Sequence, residues 1–229
     1  MKKYCIDPAL ISLEEFRELT ENKRIMPARI ALQEHMEKRF AALRSSGMAH
    51  LGDILRMLGS KSRIETFSCQ TGLSVDYLVL LKREAGSYLA RPFPLSDFPG
   101  IPFEYLEILK SKGLHTTRDF FEKVQTKQQQ EELSRESGIP AYRLKELTVL
   151  CDLSRITGVG GVFARILNEA NIRSAYDFAH METAVLLERC RQVIDTYGYE
   201  AGKLGEKDME YGISYAKVLV ACDMKLDTT

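Results

Sequence analysis

One block of sixteen residues occurs three times along the chain, and this repetition constrains the fold more than any other feature of the sequence. The copies are FAALRSSGMAHLGDIL from Phe40, LEILKSKGLHTTRDFF from Leu106 and ARILNEANIRSAYDFA from Ala164, at intervals of 66 and 58 residues. Self-similarity at such a period is typical of proteins built from tandem structural units. A residue that recurs in all three copies is therefore interpreted first as structural.

Each copy predicts the end of one helix and the start of the next. The first helix meets Gly47, Gly113 or Asn171, residue types that tolerate the left-handed conformation of a helix C-terminus. The second helix of two copies opens at Thr116 or Ser174, each followed three residues later by aspartate, which is the pattern of a capping box. The sequence therefore predicts an all-α fold of short helices in tandem units.

Other segments extend this pattern. CQTGLSVDYLVLL around Gly72 matches RESGIPAYRLKEL around Gly138, again 66 residues apart, and MEYGISYAKVLVA around Gly212 is a fainter third copy. Pro27 suits the first turn of a helix, and the pattern after it predicts a continuous helix to Arg44.

The segment LSRITGVGGVFARIL, from Leu153 to Leu167, departs from its copies. It resembles the helix-hairpin-helix motif, in which a glycine hairpin joins two short helices. The resemblance implies that hairpin amides at the start of the second helix bind phosphates of a nucleic acid without reading its sequence. Flanking arginines would neutralise those phosphates. The candidate nucleic-acid-binding residues are Arg155, Gly158, Val159, Gly160, Gly161, Arg165 and Arg173.

The second copy, FPGIPFEYL, is a built-in comparison. It keeps Gly100, but Pro102 replaces the second glycine and removes an amide, and Asp97 and Glu107 stand at the positions of the first two arginines. This hairpin is expected to repel a phosphate. The first copy shows no glycine hairpin and predicts continuous helix. The expected units are 1–90 without a glycine hairpin, 91–150 with a degenerate hairpin, and 151–229 with an intact one.

Two other interpretations of the same glycines stay open. The first is a tight turn between packed helices with no ligand. The second is a dinucleotide site, since Gly158 and Gly160 follow the apolar TVLCDL and Asp177 lies downstream. The third glycine of that fingerprint is replaced by Phe163, which disfavours the second interpretation.

Catalytic and metal-binding patterns are not found in the sequence. The four histidines do not recur in register, the five cysteines include no C-x-x-C pair, and there is no nucleophile elbow or P-loop. We therefore expect no catalytic residue, metal or cofactor. A formal net charge of zero argues against overall attraction to nucleic acid. No apolar run has membrane-spanning length and no signal-peptide core is present, so we expect a cytoplasmic protein without a membrane partner.

Over residues 12–179 the chain resembles an uncharacterised prokaryotic family of unknown function, made of tandem helix-hairpin-helix-like units. DLSRITGVGG is the most specific phrase. The resemblance implies the fold but no activity. Related units bind duplex DNA without sequence specificity, or bind partner proteins. Two hypotheses follow: a non-enzymatic nucleic-acid-binding module that uses residues 153–167, or a helical adaptor for another protein in which the hairpins are purely structural.

Overall fold

The computed structural model describes residues 2–23, 27–200, 202 and 204–227, and the regular structure of this part of the chain is helical apart from two isolated β-bridges. The predicted all-α class is confirmed. The described residues form α1 (Leu13–Asn22), α2 (Met36–Ser45), α3 (Leu51–Met57), α4 (Lys61–Thr71), α5 (Val75–Gly86), α6 (Phe103–Ser111), α7 (Thr117–Lys123), α8 (Lys127–Ser137), α9 (Ala141–Leu153), α10 (Gly161–Glu169), α11 (Ala175–Ala179), α12 (Thr183–Tyr197) and α13 (Glu206–Asp227). Short 3-10 turns occupy Pro8–Leu10, Pro27–Leu32 and Leu95–Asp97.

The chain divides into two compact units. The N-terminal unit is Ile6–Leu89 and holds α1 to α5; the C-terminal unit holds α6 to α13 and also includes residues 2–5. Residue 151, the expected start of a third unit, lies inside the continuous helix α9. In the N-terminal unit an aromatic cluster forms the core, because the ring of Phe16 lies 6.2 Å from that of Phe40 and 6.0 Å from that of Tyr88.

The three residues predicted to be left-handed all have positive φ angles. Gly47 has φ = 83°, Gly113 has φ = 79° and Asn171 has φ = 62°. The next residue donates its amide to the carbonyl five positions back, the bond of a Schellman motif. These bonds are Met48 to Leu43 (3.2 Å), Leu114 to Leu109 (3.0 Å) and Ile172 to Leu167 (2.9 Å). One local device therefore ends α2, α6 and α10 in the same way.

The starts of the following helices also match the sequence pattern. Thr116 and Asp119 form a reciprocal capping box at α7, with each side chain accepting from the other residue's amide. At α11 the hydroxyl of Ser174 accepts from the amide of Asp177 at 3.0 Å. These bonds satisfy amides that a helix start would otherwise leave unpaired. The expectation that these aspartates are structural agrees with their contacts.

One sequence prediction is wrong, and the structure shows where the predicted helix is interrupted. The continuous helix from Pro27 to Arg44 is interrupted, because His35 is left-handed with φ = 50° and α2 begins only after it. In this break Gln33 donates to three carbonyls at the end of α1, which the helix itself cannot satisfy. In the fainter copy, Gly212 does not share the left-handed conformation of its counterparts Gly72 and Gly138. It lies inside α13, where an added Cβ would stand 3.0 Å from the ring of Phe178 on α11.

Candidate binding site at the glycine hairpin

A glycine hairpin connects α9 to α10. Gly158 has φ = 93° and is exposed, and an added Cβ there would meet no other atom within 4 Å. Two apolar residues anchor the turn: Ile156 and Val159 are buried, and the amide of Val159 donates to the carbonyl of Ile156 at 2.9 Å. Gly160 precedes α10 and brings no side chain to cap it. The first turn of α10 therefore begins without a side-chain acceptor, as the motif requires.

Arg155 is not a free cation beside this hairpin. Its side chain is 1% exposed, and its guanidinium forms a two-pronged ion pair with Asp223 on α13, at 2.6 and 3.0 Å. A third carboxylate contact goes to Asp152 at 2.8 Å. Burial alone would lower the pKa of Arg155, but the hydrogen bond to Asp223 and the charges of both carboxylates raise it. The guanidinium is therefore charged and fully used inside the unit.

The remaining donors of Arg155 hold residues 2–5, which we call the N-terminal strap. Nε donates to the carbonyl of Tyr4 at 3.2 Å and Nη2 to that of Lys3 at 3.0 Å. The phenol of Tyr4 is buried and lies 3.0 Å from the carbonyl of Ser154, at the start of the hairpin. Burial raises the pKa of this phenol. Arg155 thus joins the strap, the hairpin and α13 in one network.

Arg165 is also buried and paired. Its side chain is 5% exposed, its Nη1 forms an ion pair with Glu146 on α9, and its Nε donates to the carbonyl of Pro99 at 3.0 Å. Burial alone would raise the pKa of Glu146, but the hydrogen bond from Arg165, its charge and those of Arg143 lower it. Arg165 therefore connects α9 and α10 to the second hairpin.

Arg173 is exposed but lies away from the hairpin. It follows α10, a helix of nine residues and thus about 14 Å long, whereas Gly160 precedes that helix. Its guanidinium donates to the side-chain carbonyls of Asn168 (2.5 Å) and Asn171 (3.1 Å). The structure therefore does not bring the three predicted arginines together at the hairpin. Two are used in internal ion pairs, and the third is at the far end of α10.

The two hairpins of the C-terminal unit touch each other. A Cβ added to Gly161 would lie 2.1 Å from the carbonyl oxygen of Asp97, so only glycine fits where the second hairpin crosses the start of α10. Arg165 strengthens this contact through its bond to Pro99. Close packing against this backbone therefore explains why residue 161 is a glycine, and a phosphate-binding role is not needed to explain it.

The second hairpin exposes an aromatic side chain where the other has that packed glycine. Gly100 has φ = 78°, so it takes the same left-handed conformation as Gly158. When the two segments are aligned on these glycines, Phe103 falls at the position of Gly161. Phe103 is the first residue of α6 and is 75% exposed. The same position of the two hairpins is thus covered by polypeptide at Gly161 and exposed to solvent at Phe103.

The sequence did not predict the acidic residues that form ion pairs with Arg155 and Arg165. Asp223 lies 68 residues from Arg155, and Glu146 lies 19 residues from Arg165. For Arg165 a signal existed: Glu146 and Arg165 fall on the helices that flank the hairpin, on which opposite charges can meet. For Asp223 no local pattern marks the pairing.

Among the described residues, no group of three or more histidine, cysteine, aspartate or glutamate side chains is arranged to hold a metal ion. In the same part of the chain, no helix combines the length and apolar character needed to cross a membrane.

The fold and this site define an α-helical unit in which two facing hairpins are joined by buried arginine contacts. The model of one family, described as a domain of unknown function (DUF4332), matches residues 99–200, a span that begins inside the second hairpin and contains the glycine hairpin between α9 and α10. No curated protein and no solved structure matches the chain.

Proposed function

We propose that this chain is a non-catalytic adaptor whose C-terminal unit binds another protein through the exposed start of α6. The observation that carries the proposal is Phe103. Its counterpart Gly161 is covered by the backbone of Asp97, whereas Phe103 itself is 75% exposed. The chain therefore contains its own example of polypeptide docking at this position of a hairpin. Exposed aromatic side chains of this kind often act as anchors in protein interfaces.

The internal ion pairs of Arg155 and Arg165 also favour a protein ligand over a nucleic acid. Affinity for nucleic acid depends mainly on cations that neutralise phosphates. Arg155 and Arg165 already neutralise Asp223 and Glu146 inside the unit, and releasing Arg155 would take from the buried carboxylate of Asp223 its two shortest ionic contacts. Such an exchange is unfavourable, so these two residues do not support a phosphate-binding role.

A crosslinking experiment tests the adaptor proposal. A photoreactive phenylalanine analogue is placed at Phe103, and the matched control places it at Tyr142 on α9, an aromatic residue that is 65% exposed in the same unit. Illumination of cells producing each variant should give a discrete protein adduct from position 103 and none of that mass from position 142. No adduct at 103, or the same adducts at both positions, would count against the proposal.

Nucleic-acid binding is a second candidate, favoured by the uncapped start of α10 and the exposed left-handed Gly158. Arg165→Glu is not a clean test, because a carboxylate there would face Glu146 and disrupt the fold. Gly160→Pro is better. It copies Pro102, the φ of −85° at Gly160 is close to that of proline, and no atom lies near the added Cβ. Salt-dependent binding of duplex or single-stranded DNA that Gly160→Pro weakens would favour this candidate over the adaptor.

A further inference from the structure

The two hairpins are neighbours, and we call the exposed residues of both the hairpin face. Gly161 packs on Asp97 and Arg165 bonds to Pro99, so the segments 96–104 and 157–163 are neighbours. The exposed residues of these segments are Ser96, Asp97, Gly100, Phe103, Glu104, Gly158, Gly160 and Val162.

This face is negatively charged although the whole chain is neutral. The segments 92–107 and 156–164 together contain three acidic residues and no lysine, arginine or histidine. Of the three acids, Glu107 lies 3.6 Å from Lys110, one turn further along α6. Among the described residues, no cation pairs with Asp97 or Glu104. Arg165 lies beneath the face, where its Nη1 pairs with Glu146 and its Nη2 is buried without a hydrogen-bond partner among the described residues.

The same face also offers apolar contact area. Phe103 is 75% exposed and Val162 is 37% exposed, on the first turns of α6 and α10 respectively. An exposed phenylalanine beside unpaired carboxylates presents an anchor with charged neighbours. Such a surface is complementary to an apolar side chain flanked by cations, because opposite charges at the rim steer and orient association.

We infer that the hairpin face binds a basic amphipathic segment of a partner protein, with an apolar side chain against Phe103 and lysine or arginine side chains beside Asp97 and Glu104. This inference rests on the proposed adaptor function and adds the chemistry of the partner. A polyanion fits the same face poorly, since its charge would meet the carboxylates of Asp97 and Glu104.

The test uses the full chain and two synthetic fluorescent peptides. One is an amphipathic helix of lysine, leucine and alanine, and the other has glutamate in place of every lysine. Fluorescence anisotropy should show saturable, salt-sensitive binding of the lysine peptide and binding of the glutamate peptide that is weaker by at least about tenfold.

Matched variants locate the binding. Phe103→Ser and Glu104→Lys should each weaken binding of the lysine peptide about tenfold, the loss typical of removing a central anchor or reversing an adjacent charge. Tyr142→Ser and Asp195→Lys change an exposed aromatic and an exposed acid elsewhere in the unit and should have little effect. All four positions are exposed, so thermal melts should confirm unchanged folding.

The outcomes separate this inference from the adaptor function. Equal affinity for the two peptides, or equal losses in the control variants, would overturn the basic-partner inference. If crosslinking at position 103 still gives a specific adduct in that case, the adaptor proposal stands and only the partner's chemistry is wrong. If that adduct is missing as well, both proposals fall together.

Discussion

The buried ion pair between Arg155 and Asp223 gives the largest stability effect that we expect from a single substitution. In Asp223→Ala, a guanidinium with a side chain only 1% exposed loses two hydrogen bonds. Removing one partner of a buried ion pair costs about 3–5 kcal/mol. Arg155 keeps Asp152 and two backbone carbonyls, so we expect the lower end, about 3 kcal/mol. This corresponds to a fall in Tm of about 6–12 °C for a chain of this size.

Urea and thermal unfolding followed by circular dichroism measure this effect. The matched control is Asp195→Ala, which removes an exposed carboxylate from α12 and should change stability by less than about 0.5 kcal/mol. Combining Asp223→Ala with Arg155→Met should cost less than the two single losses added together, by about 1–3 kcal/mol, because the partners no longer leave each other unpaired. If Asp223→Ala is as stable as Asp195→Ala, the reasoning is refuted. It is also refuted if the stability losses of the two single variants simply add in the double variant.

Three further outcomes are expected. Gly161→Ala should destabilise the chain by about 1–3 kcal/mol, since its Cβ would overlap a backbone carbonyl, whereas Gly160→Ala should be nearly neutral; urea midpoints of the two variants check this contrast. Gly113→Val should cost at least about 1 kcal/mol, because its φ is 79°, and equal stability of wild type and variant would contradict the left-handed assignment. The pKa of Asp53 is lowered from 3.8, first by the hydrogen bond from the amide of Ala49, so its stabilising contribution is present above pH 3.8 and is lost as the pH falls through the lowered value. The stability difference between wild type and Asp53→Asn should therefore shrink from pH 6 to about pH 2.5 in urea titrations, and a difference independent of pH would contradict this linkage.

The helix boundaries could be predicted from the sequence because local chemistry determines them. Gly113 and Asn171 end helices through bonds to residues at most five positions away, and Thr116 begins one through a partner three positions away. Such contacts lie within the window that a sequence motif covers. The first copy was harder to predict, because the expected helix is interrupted at left-handed His35, and Gln33 beside it bonds to carbonyls more than ten residues upstream.

The chemistry of the candidate site could not be predicted in the same way. Gly158 lies in the turn between α9 and α10 with a positive φ, but the motif carries no information about what surrounds Arg155. Whether an arginine beside a hairpin meets solvent or a carboxylate depends on which distant helix packs there. In this chain α13 brings Asp223 to Arg155, and the strap supplies two more acceptors. The sequence shows a phenylalanine at position 103, but whether the side chain of Phe103 is exposed depends on where the second hairpin packs.

The N-terminal strap has a consequence for the order of events during synthesis. Arg155 is synthesised about 150 residues after its partners Lys3 and Tyr4, and Asp223 later still. The segment Ile6–Leu89 forms its own compact unit and needs none of these contacts. The network that joins the strap, Arg155 and Asp223 can therefore be completed only after α13 has been made. These contacts of high sequence separation can thus form only after those within Ile6–Leu89, and contacts of this kind are the slow ones in folding.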